Sequence, residues 1–249
     1  MKVKAILLAG GHGSRLYPFT KYTQKTLLPL HNRPVIDYAL GTIRRAGITD
    51  ITIVSNQFIG QITKHVGAGL PDERIHYVLE EEPTGVADAL NLARAYNEDC
   101  RLLIYFSDNI TTVELTEEVG TFSNAEHPPG CILLARQEAN PQAFGVAVLG
   151  QKGEVVDIVE KPENPPSDLA IGGIYMFDEA FWSFLDLGVE EKGENFSITD
   201  VNRRYIQQGM AKLITVGEDT WVDCGTPDSL LHASNMAKDG KLNPNPFRT

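Results

Sequence analysis

The sequence is poor in the residues that mark several common protein classes. It has only three cysteines, Cys100, Cys131 and Cys224, an odd number without metal-ligand spacing, which argues against both a disulfide framework and a zinc site. Basic residues are outnumbered, with 22 Lys and Arg against 33 Asp and Glu and a formal net charge of -11. Because no run of Lys or Arg forms a local basic patch, this charge disfavours a nucleic-acid partner.

Long apolar runs are also missing. The longest early stretch, Ala5–Ala9, is too short for a membrane span or for the core of a signal peptide. We therefore expect a cytoplasmic protein with no membrane partner. The sequence shows no internal repeat and no linker-like segment, so we predict a single domain over residues 1–249, made of a first part (1–110), a second part (111–239) and a tail (240–249).

In the first part, short β-branched or aliphatic segments alternate with patterns of helical spacing. This alternation predicts a mainly parallel sheet flanked by helices, a Rossmann-like α/β fold. Ligands of such sheets bind at the carboxyl ends of the strands, which here are followed by residues 9–15, residues 80–85 and Asp108. The predicted strands are Val3–Leu8, Ile51–Ser55, Ile75–Leu79 and Leu102–Phe106, and the predicted helices are Pro34–Ala46, Ile59–Val66 and Val86–Tyr96.

The second part has strand-like segments that follow one another closely, which predicts a mixed or antiparallel extension of the sheet. A helix over Ile198–Gln208 with Ser197 as its N-cap, a strand over Lys212–Val216 and a final helix after Pro227 should follow. We expect the tail from Gly240 to be irregular. The closely spaced predicted strands are Cys131–Ala135, Phe144–Leu149, Val155–Val159 and Ile171–Phe177.

A glycine-rich turn over residues 8–16, Leu-Ala-Gly-Gly-His-Gly-Ser-Arg-Leu, directly follows the first predicted strand. It lacks the Gly-Lys-Ser/Thr ending of a Walker A loop and the third glycine of a Rossmann fingerprint. Glycines alone equally suit a tight turn without a ligand. The cations Arg15 and Lys25 favour a phosphate site, because they could neutralise a triphosphate beside backbone N–H groups.

Several ordered segments together carry a resemblance to a known family. The opening turn with Tyr17-Pro18 is followed by Lys25-Thr26-Leu27-Leu28-Pro29, and the chain resembles the sugar-1-phosphate nucleotidylyltransferases, most closely the short forms of glucose-1-phosphate thymidylyltransferase. The resemblance covers most of the chain and implies a GT-A-like fold. The further matching segments are Glu82-Pro83-x-Gly85-x-Ala87, Ser107-Asp108-Asn109, Phe144-Gly145-Val146, Glu160-Lys161-Pro162, Ile198-Thr199-Asp200-Val201-Asn202 and Trp221-Val222-Asp223-x-Gly225-Thr226.

The resemblance implies transfer of a nucleotidyl group from an NTP, with dTTP or UTP favoured, to a sugar 1-phosphate, with glucose 1-phosphate favoured. It assigns Mg²⁺ to Asp108 and Asp223, and we expect Arg15, Lys25 and Asp108 to be catalytic. By themselves the two aspartates could be a cap or a turn. The remaining implied residues are Leu8, Gly10, Gly11, Gly13, Ser14, Glu80 and Gly85 for the nucleotide, and Gly145, Glu160, Lys161 and Ile171 for the sugar 1-phosphate, although Glu160-Lys161 alone could be a solvated pair.

Four positions depart from the family pattern. Glu80 stands where thymidylyltransferases usually carry a glutamine that reads the base. An ionised glutamate only accepts hydrogen bonds, which suits the donors of guanine better than thymine, unless Glu80 points elsewhere. Asp88 also replaces a glutamine, Cys224 a threonine next to Asp223, and Gly172 a threonine in the sugar region. Homo-oligomers are common in the family.

Other functions remain open on the sequence. Within the class, the enzyme could use GTP, CTP or another phosphorylated acceptor. A GT-A glycosyltransferase would want an Asp-x-Asp motif, which Ser107-Asp108-Asn109 is not. A catalytically silent nucleotide-sugar sensor would not need Arg15, Lys25 and Asp223 together, and an NAD-dependent oxidoreductase would need the complete glycine fingerprint.

Overall fold

A nine-stranded mixed sheet forms the framework of the protein. The computed structural model describes residues 1–126, 128–217 and 221–242. The strand order is β10-β9-β11-β6-β1-β4-β5, with β8 paired to β11 and β12 paired to β8. The sheet strands are β1 (Val3–Leu8), β4 (Asp50–Ser55), β5 (Arg74–Leu79), β6 (Arg101–Phe106), β8 (Cys131–Gln137), β9 (Gly145–Leu149), β10 (Val155–Glu160), β11 (Leu169–Phe177) and β12 (Ala211–Val216).

Helices cover both faces of this sheet, and two small two-stranded ribbons lie beside it. The ribbons pair β2 (Pro29–Leu30) with β3 (Arg33–Pro34) and β7 (Asn109–Thr111) with β13 (Trp221–Asp223). The α-helices are α1 (Val35–Arg45), α2 (Ile59–Val66), α3 (Val86–Asn97), α4 (Thr116–Asn124), α5 (Phe181–Lys192), α6 (Ile198–Gln207) and α7 (Pro227–Lys238).

The first part forms the predicted parallel core. Strand β1 lies between β4 and β6, and β5 continues the parallel set beyond β4. Strands β1, β4 and β6 are largely buried because helices pack on both faces, so their sequences read as mostly apolar segments, whereas the edge strand β5 is only partly buried. The chain moves outward from β1 to β4 and β5, then returns to the other side of β1 with β6. Such a reversal opens a crevice at the carboxyl ends of β1 and β6.

The second part adds the predicted mixed extension. Strand β11 pairs antiparallel with β6, β8 and β9, and β10 pairs antiparallel with β9, whereas β12 runs parallel to β8. A shift in register between Ile171 and Tyr175 bends β11, so that its first half pairs with β8 and β9 and its second half with β6 and β8. The bend in β11 therefore lies beside the end of β6.

The predicted secondary structure agrees with the structure in most elements and misses several. Ser197 is the N-cap of α6, with a reciprocal capping box to Asp200, as predicted. Helix α1 begins one residue later than predicted, since Pro34 is extended and precedes it. The sequence analysis did not predict α4, α5, β2, β3, β7 or β13. Of the tail that was predicted to be irregular, residues 243–249 lie outside the described residues.

None of the helices in the described ranges combines the length and apolar character needed to cross a lipid bilayer.

Candidate active site

The glycine-rich turn after β1 is held by side chains that bind its carbonyl oxygens. Asn56 donates to the Gly10 carbonyl at 2.9 Å, Thr20 donates to the Gly13 carbonyl at 2.9 Å, and the buried Gln24 donates to the carbonyl of residue 9. Gly13 has a left-handed backbone conformation (φ 62°), which glycine adopts without steric cost. With the carbonyls held, backbone N–H groups remain as the donors that this turn can offer to an anion.

The two basic side chains predicted to bind phosphate lie against the two carboxylates predicted to bind metal. The Lys25 ammonium forms a half-buried ion pair with Asp108. Arg15 approaches Asp223, because a Cβ atom built on Gly225 would lie 2.6 Å from Arg15 Nη2 and 2.7 Å from Asp223 Oδ1. The arrangement therefore places positive charge from the glycine-rich turn directly beside the carboxylates.

Asp108 and Asp223 are brought together by the ribbon of β7 and β13. In this antiparallel pair, Asp223 is the partner of Asn109, and the Cys224 amide donates to the Asp108 carbonyl at 2.8 Å. Burial, followed by the nearby charge of Asp108, raises the pKa of Asp223, while Lys25 and Arg15 act in the opposite direction. The two carboxylates thus repel each other in a largely buried site.

The chemistry of this pair fits Mg²⁺. Asp223 Oδ1 is buried and has no hydrogen-bond partner, so a carboxylate oxygen is available to a cation. Within the described ranges, no cluster of three or more histidine, cysteine or carboxylate side chains could hold a metal. Mg²⁺ commonly binds through one or two carboxylates and completes its shell with substrate phosphates and water. A pair of aspartates beside the glycine-rich turn meets that requirement.

A cavity of about 330 Å³ lies between the glycine-rich turn and the start of α3. Glu80, only 4% exposed, reaches into it from the end of β5. A Cβ atom on Gly10 would collide with Glu80 Oε2, so the carboxyl lies directly over that glycine. Burial first, and then the charge of Asp88, raise the pKa of Glu80. The cavity is lined by Leu8, Gly10, Gly11, His12, Lys25, Glu80, Pro83, Thr84, Gly85, Val86, Ala89, Phe106 and Asp108.

A second cavity, of about 320 Å³, lies on the other side of Asp108, between β11 and the start of α6. Its polar lining includes Asp108, Asp223, Arg136 and Glu160. Predicted sugar-binding residues Gly145, Glu160 and Ile171 all line it. Asp108, together with Val86 and Phe106, belongs to both cavities. A ligand in each cavity would therefore meet its neighbour at the aspartate pair.

Glu160 and Lys161 occupy different environments although they are adjacent in sequence. Glu160 accepts a hydrogen bond from Thr199 at 2.8 Å, which fixes its carboxylate at the cavity wall. The Lys161 side chain is 68% exposed, lies 3.8 Å from Glu160, and does not line the cavity. Gly13, Ser14 and Arg15 belong to the glycine-rich turn but not to the lining of the first cavity.

The sequence analysis missed two residues that shape the site. Asn109 donates to Asp108 at 3.1 Å and accepts from the Trp221 indole at 2.8 Å and from the Gly173 amide at 3.2 Å. It therefore ties Asp108 to β11 and β13. Arg136, at the end of β8, points into the second cavity. Asn109 follows a strand within a matched motif, which was a usable signal, whereas Arg136 is a lone charge outside every motif.

Gly172 explains how Trp221 reaches its position. A Cβ atom at Gly172 would overlap the indole ring of Trp221, which is 8% exposed. We expect Gly172→Ala to destabilise the protein by about 1–3 kcal/mol, because the ring would have to leave its hydrogen bond to Asn109. Thermal unfolding measures the effect. The matched control is Gly120→Ala in α4, where the new methyl group has open space and improves helix propensity, so it should unfold at the same or a higher temperature. Equal melting temperatures for the two variants would contradict this assignment.

A comparison with known protein families shows which family the chain belongs to. The profile of the family described as Nucleotidyl transferase matches residues 4–240. This chain belongs to the nucleotidyl transferase family. The match confirms the resemblance identified in the sequence and the predicted class of enzyme.

Individual relatives of this nucleotidyl transferase match most of its length. It is 34% identical over 243 residues to a low-salt glycan biosynthesis nucleotidyltransferase of Haloferax volcanii, covering 96% of this chain and 67% of that protein. It is 34% identical over 233 residues to a glucose-1-phosphate thymidylyltransferase of Streptomyces antibioticus, covering 93% of this chain and 65% of that protein. The chain thus spans about two thirds of the length of these relatives.

A solved structure supports the predicted fold. A Bacillus anthracis protein described as a glucose-1-phosphate thymidylyltransferase superposes with a TM-score of 0.87 at 32% identity, covering 96% of both chains. The GT-A-like α/β fold with a mainly parallel core and a mixed extension is therefore confirmed.

Proposed function

We propose that this nucleotidyl transferase joins an NTP, dTTP or UTP in preference, to a sugar 1-phosphate, glucose 1-phosphate in preference, and releases pyrophosphate. The observation that supports this most is the pair of cavities that meet at Asp108. The first has the phosphate-binding turn and a polar reader at Glu80. The second has Glu160 for sugar hydroxyls. The names of the relatives point to the same substrates.

The proposed reaction is an in-line displacement. An oxygen of the sugar phosphate attacks the α-phosphorus of the NTP, and the bond from that phosphorus to the β-phosphate oxygen breaks. The electron pair leaves with pyrophosphate. Since the attacking phosphate is already ionised at neutral pH, no general base is required, and catalysis rests on positioning and charge neutralisation.

Each part of the reaction has residues of this chain to support it. Lys25 and Arg15 neutralise the triphosphate beside the amides of the glycine-rich turn, and Asn109 fixes Asp108. We propose that Asp108 and Asp223 hold Mg²⁺. When bound, Mg²⁺ would supply charge neutralisation at the phosphates and orient them. Lys161, with its exposed side chain, stays a predicted contact of the sugar phosphate.

Glu80 is compatible with a pyrimidine base if its carboxyl is neutral. A protonated carboxyl offers one O–H donor and one carbonyl acceptor, the same pair that a glutamine amide presents to the N3–H and carbonyl of thymine or uracil. Burial raises the pKa of Glu80 and so favours the neutral form. An ionised Glu80 would instead favour guanine, which presents two donors.

Cytoplasmic location and homo-oligomeric assembly stay predictions of the sequence.

The proposal is tested by pyrophosphate release with Mg²⁺, crossing dTTP, UTP, GTP and CTP against glucose, mannose and N-acetylglucosamine 1-phosphates. We expect the largest kcat/KM for dTTP or UTP with glucose 1-phosphate, and no release without a sugar phosphate. GTP as the preferred nucleotide would contradict the assignment of the base. Release from none of the pairs, by protein that still binds nucleotide, would favour a nucleotide-sugar sensor.

A further inference from the structure

The second cavity needs a positive charge if it is to bind a sugar phosphate. Its titratable lining consists of Asp108, Asp223, Glu160 and Arg136, together with Tyr175, whose hydroxyl is neutral at ordinary pH. Mg²⁺ at the aspartate pair would offset two of the three carboxylates. The dianionic group of a sugar phosphate must still be held against the remaining negative charge, and Lys161 is turned toward solvent. Arg136 is the cation in the described lining of this cavity.

The environment of Arg136 holds its guanidinium in one orientation. Its Cζ atom lies 5.1 Å from the ring centroid of Phe144 and 5.9 Å from that of Trp221. The side chain is only 13% exposed. Aromatic contacts with the planar group leave its N–H edges free to form hydrogen bonds in the plane. Trp221 is in turn fixed by its hydrogen bond to Asn109 and by the space that Gly172 leaves.

The hydrogen bonds of Arg136 leave donors available. Its Nε and Nη2 atoms donate to a single oxygen of Glu138, at 3.2 and 2.8 Å, so the carboxylate occupies one edge of the guanidinium. A guanidinium has five N–H donors, so those outside this pair remain for a ligand. Glu138 lies outside the cavity lining, whereas Arg136 belongs to it. This geometry is typical of an anion-binding arginine rather than of a surface ion pair. The Glu138 carboxylate and the two aromatic rings together fix the direction in which the remaining N–H groups point.

We propose that Arg136 binds the phosphate group of the sugar 1-phosphate, and that Glu138 positions its guanidinium. The inference rests on the proposed function, since it names the residue that receives the phosphorylated acceptor. It assigns phosphate recognition to the end of β8 rather than to Lys161 alone. It also gives the aromatic side chains Phe144 and Trp221 a role in substrate binding, which is to hold a cation flat against the cavity wall.

The test compares Arg136→Met and Arg136→Lys with a matched control, Arg94→Met. Arg94 is also paired with a carboxylate, Asp186, and also lies over a tryptophan, Trp182, but on the outer surface of α3 and α5. Glucose 1-phosphate binding is measured by calorimetry and steady-state KM by pyrophosphate release. Glucose is titrated in parallel, because it lacks the phosphate.

For Arg136→Met we expect the Kd and KM for glucose 1-phosphate to rise by about 10- to 100-fold, since hydrogen bonds to a charged group contribute that much affinity. The KM for the NTP should stay within about twofold, and weak binding of glucose should not change; Arg136→Lys should lie between wild type and Arg136→Met. This split separates phosphate recognition from a general loss of structure. Arg94→Met should match wild type in every arm.

Three results would overturn the inference. One is an unchanged Kd for glucose 1-phosphate in a folded Arg136→Met protein. Another is an equal rise in the KM values for sugar phosphate and NTP in Arg136→Lys, which would indicate a structural role. The third applies if wild type turns over an NTP with glucose 1-phosphate: affinity for glucose 1-phosphate is then lost in Lys161→Met but not in Arg136→Met. Absence of turnover in wild type, with calorimetric binding that still depends on Arg136, would contradict the proposed function and support this inference.

Discussion

Asp223→Asn is expected to reduce nucleotidyl transfer by about two to three orders of magnitude while leaving the protein at least as stable as wild type in metal-free buffer. The loss of activity follows because one of the two proposed carboxylate ligands is removed. The retained stability follows from the buried, unpartnered Asp223 Oδ1 and from its repulsion by Asp108, which the neutral amide relieves. Initial rates and thermal unfolding measure the two effects.

The same variant separates metal binding from folding. Mg²⁺ should raise the melting temperature of wild type, because a ligand that binds only the native state stabilises it, and this shift should be lost in Asp223→Asn. Asp72→Asn is the matched control, since Asp72 is an exposed aspartate in a turn. Full activity in Asp223→Asn, or a Mg²⁺-induced shift of wild-type size, would exclude Asp223 as a metal ligand.

Glu80→Gln should change how pH affects the choice of base. If neutral Glu80 reads a pyrimidine, wild-type kcat/KM for dTTP falls as pH rises through the raised pKa, because the O–H donor is lost. The amide of Glu80→Gln does not titrate, so this variant should exceed wild type by about tenfold or more with dTTP at alkaline pH, as expected when a site loses or regains a polar partner. Glu81→Gln, an exposed neighbour, is the matched control. If wild type prefers GTP at alkaline pH and Glu80→Gln does not, the result would show that an ionised Glu80 recognises guanine.

Stability provides a second readout for Glu80. A carboxyl whose pKa is raised by folding is most favourable to the native state below its ordinary pKa of 4.5, and this contribution is lost as pH rises through the folded value. Glu80→Gln should therefore melt at a higher temperature than wild type at pH 8, with a difference that shrinks toward pH 4.5 and below. A difference independent of pH would show that the carboxyl is not responsible.

The parallel core was predictable because each strand carries its own signal. Strands β1, β4 and β6 are largely buried and appear as mostly apolar segments between helical patterns, and the partly buried edge strand β5 still carries an apolar segment. All four have ends within one residue of the prediction. Helix α5 was missed although it carries Phe181, Trp182 and Leu185 in the core, since its apolar residues follow β11 so closely that the two patterns merge.

The site was less predictable from local sequence because its geometry depends on distant pairing. Strands β7 and β13 have three residues each and no periodic signal, yet their ladder joins Asp108 to Asp223 across more than a hundred residues. The resemblance implied that Asp108 and Asp223 share a metal, but their spacing in the sequence gave no sign of the contact. Arg136 gave no signal, because its importance comes from Phe144 and Trp221, which only the fold brings to either side of it.

The most direct test of the central claim follows the oxygen atoms of the sugar phosphate. Glucose 1-phosphate labelled with ¹⁸O in its phosphate is incubated with dTTP, Mg²⁺ and the protein, and both products are analysed by mass spectrometry. Attack by the sugar phosphate on the α-phosphorus predicts that all label is retained in the nucleotide-sugar and none enters pyrophosphate. Label in pyrophosphate or in free phosphate, or a nucleotide product without sugar, would contradict it.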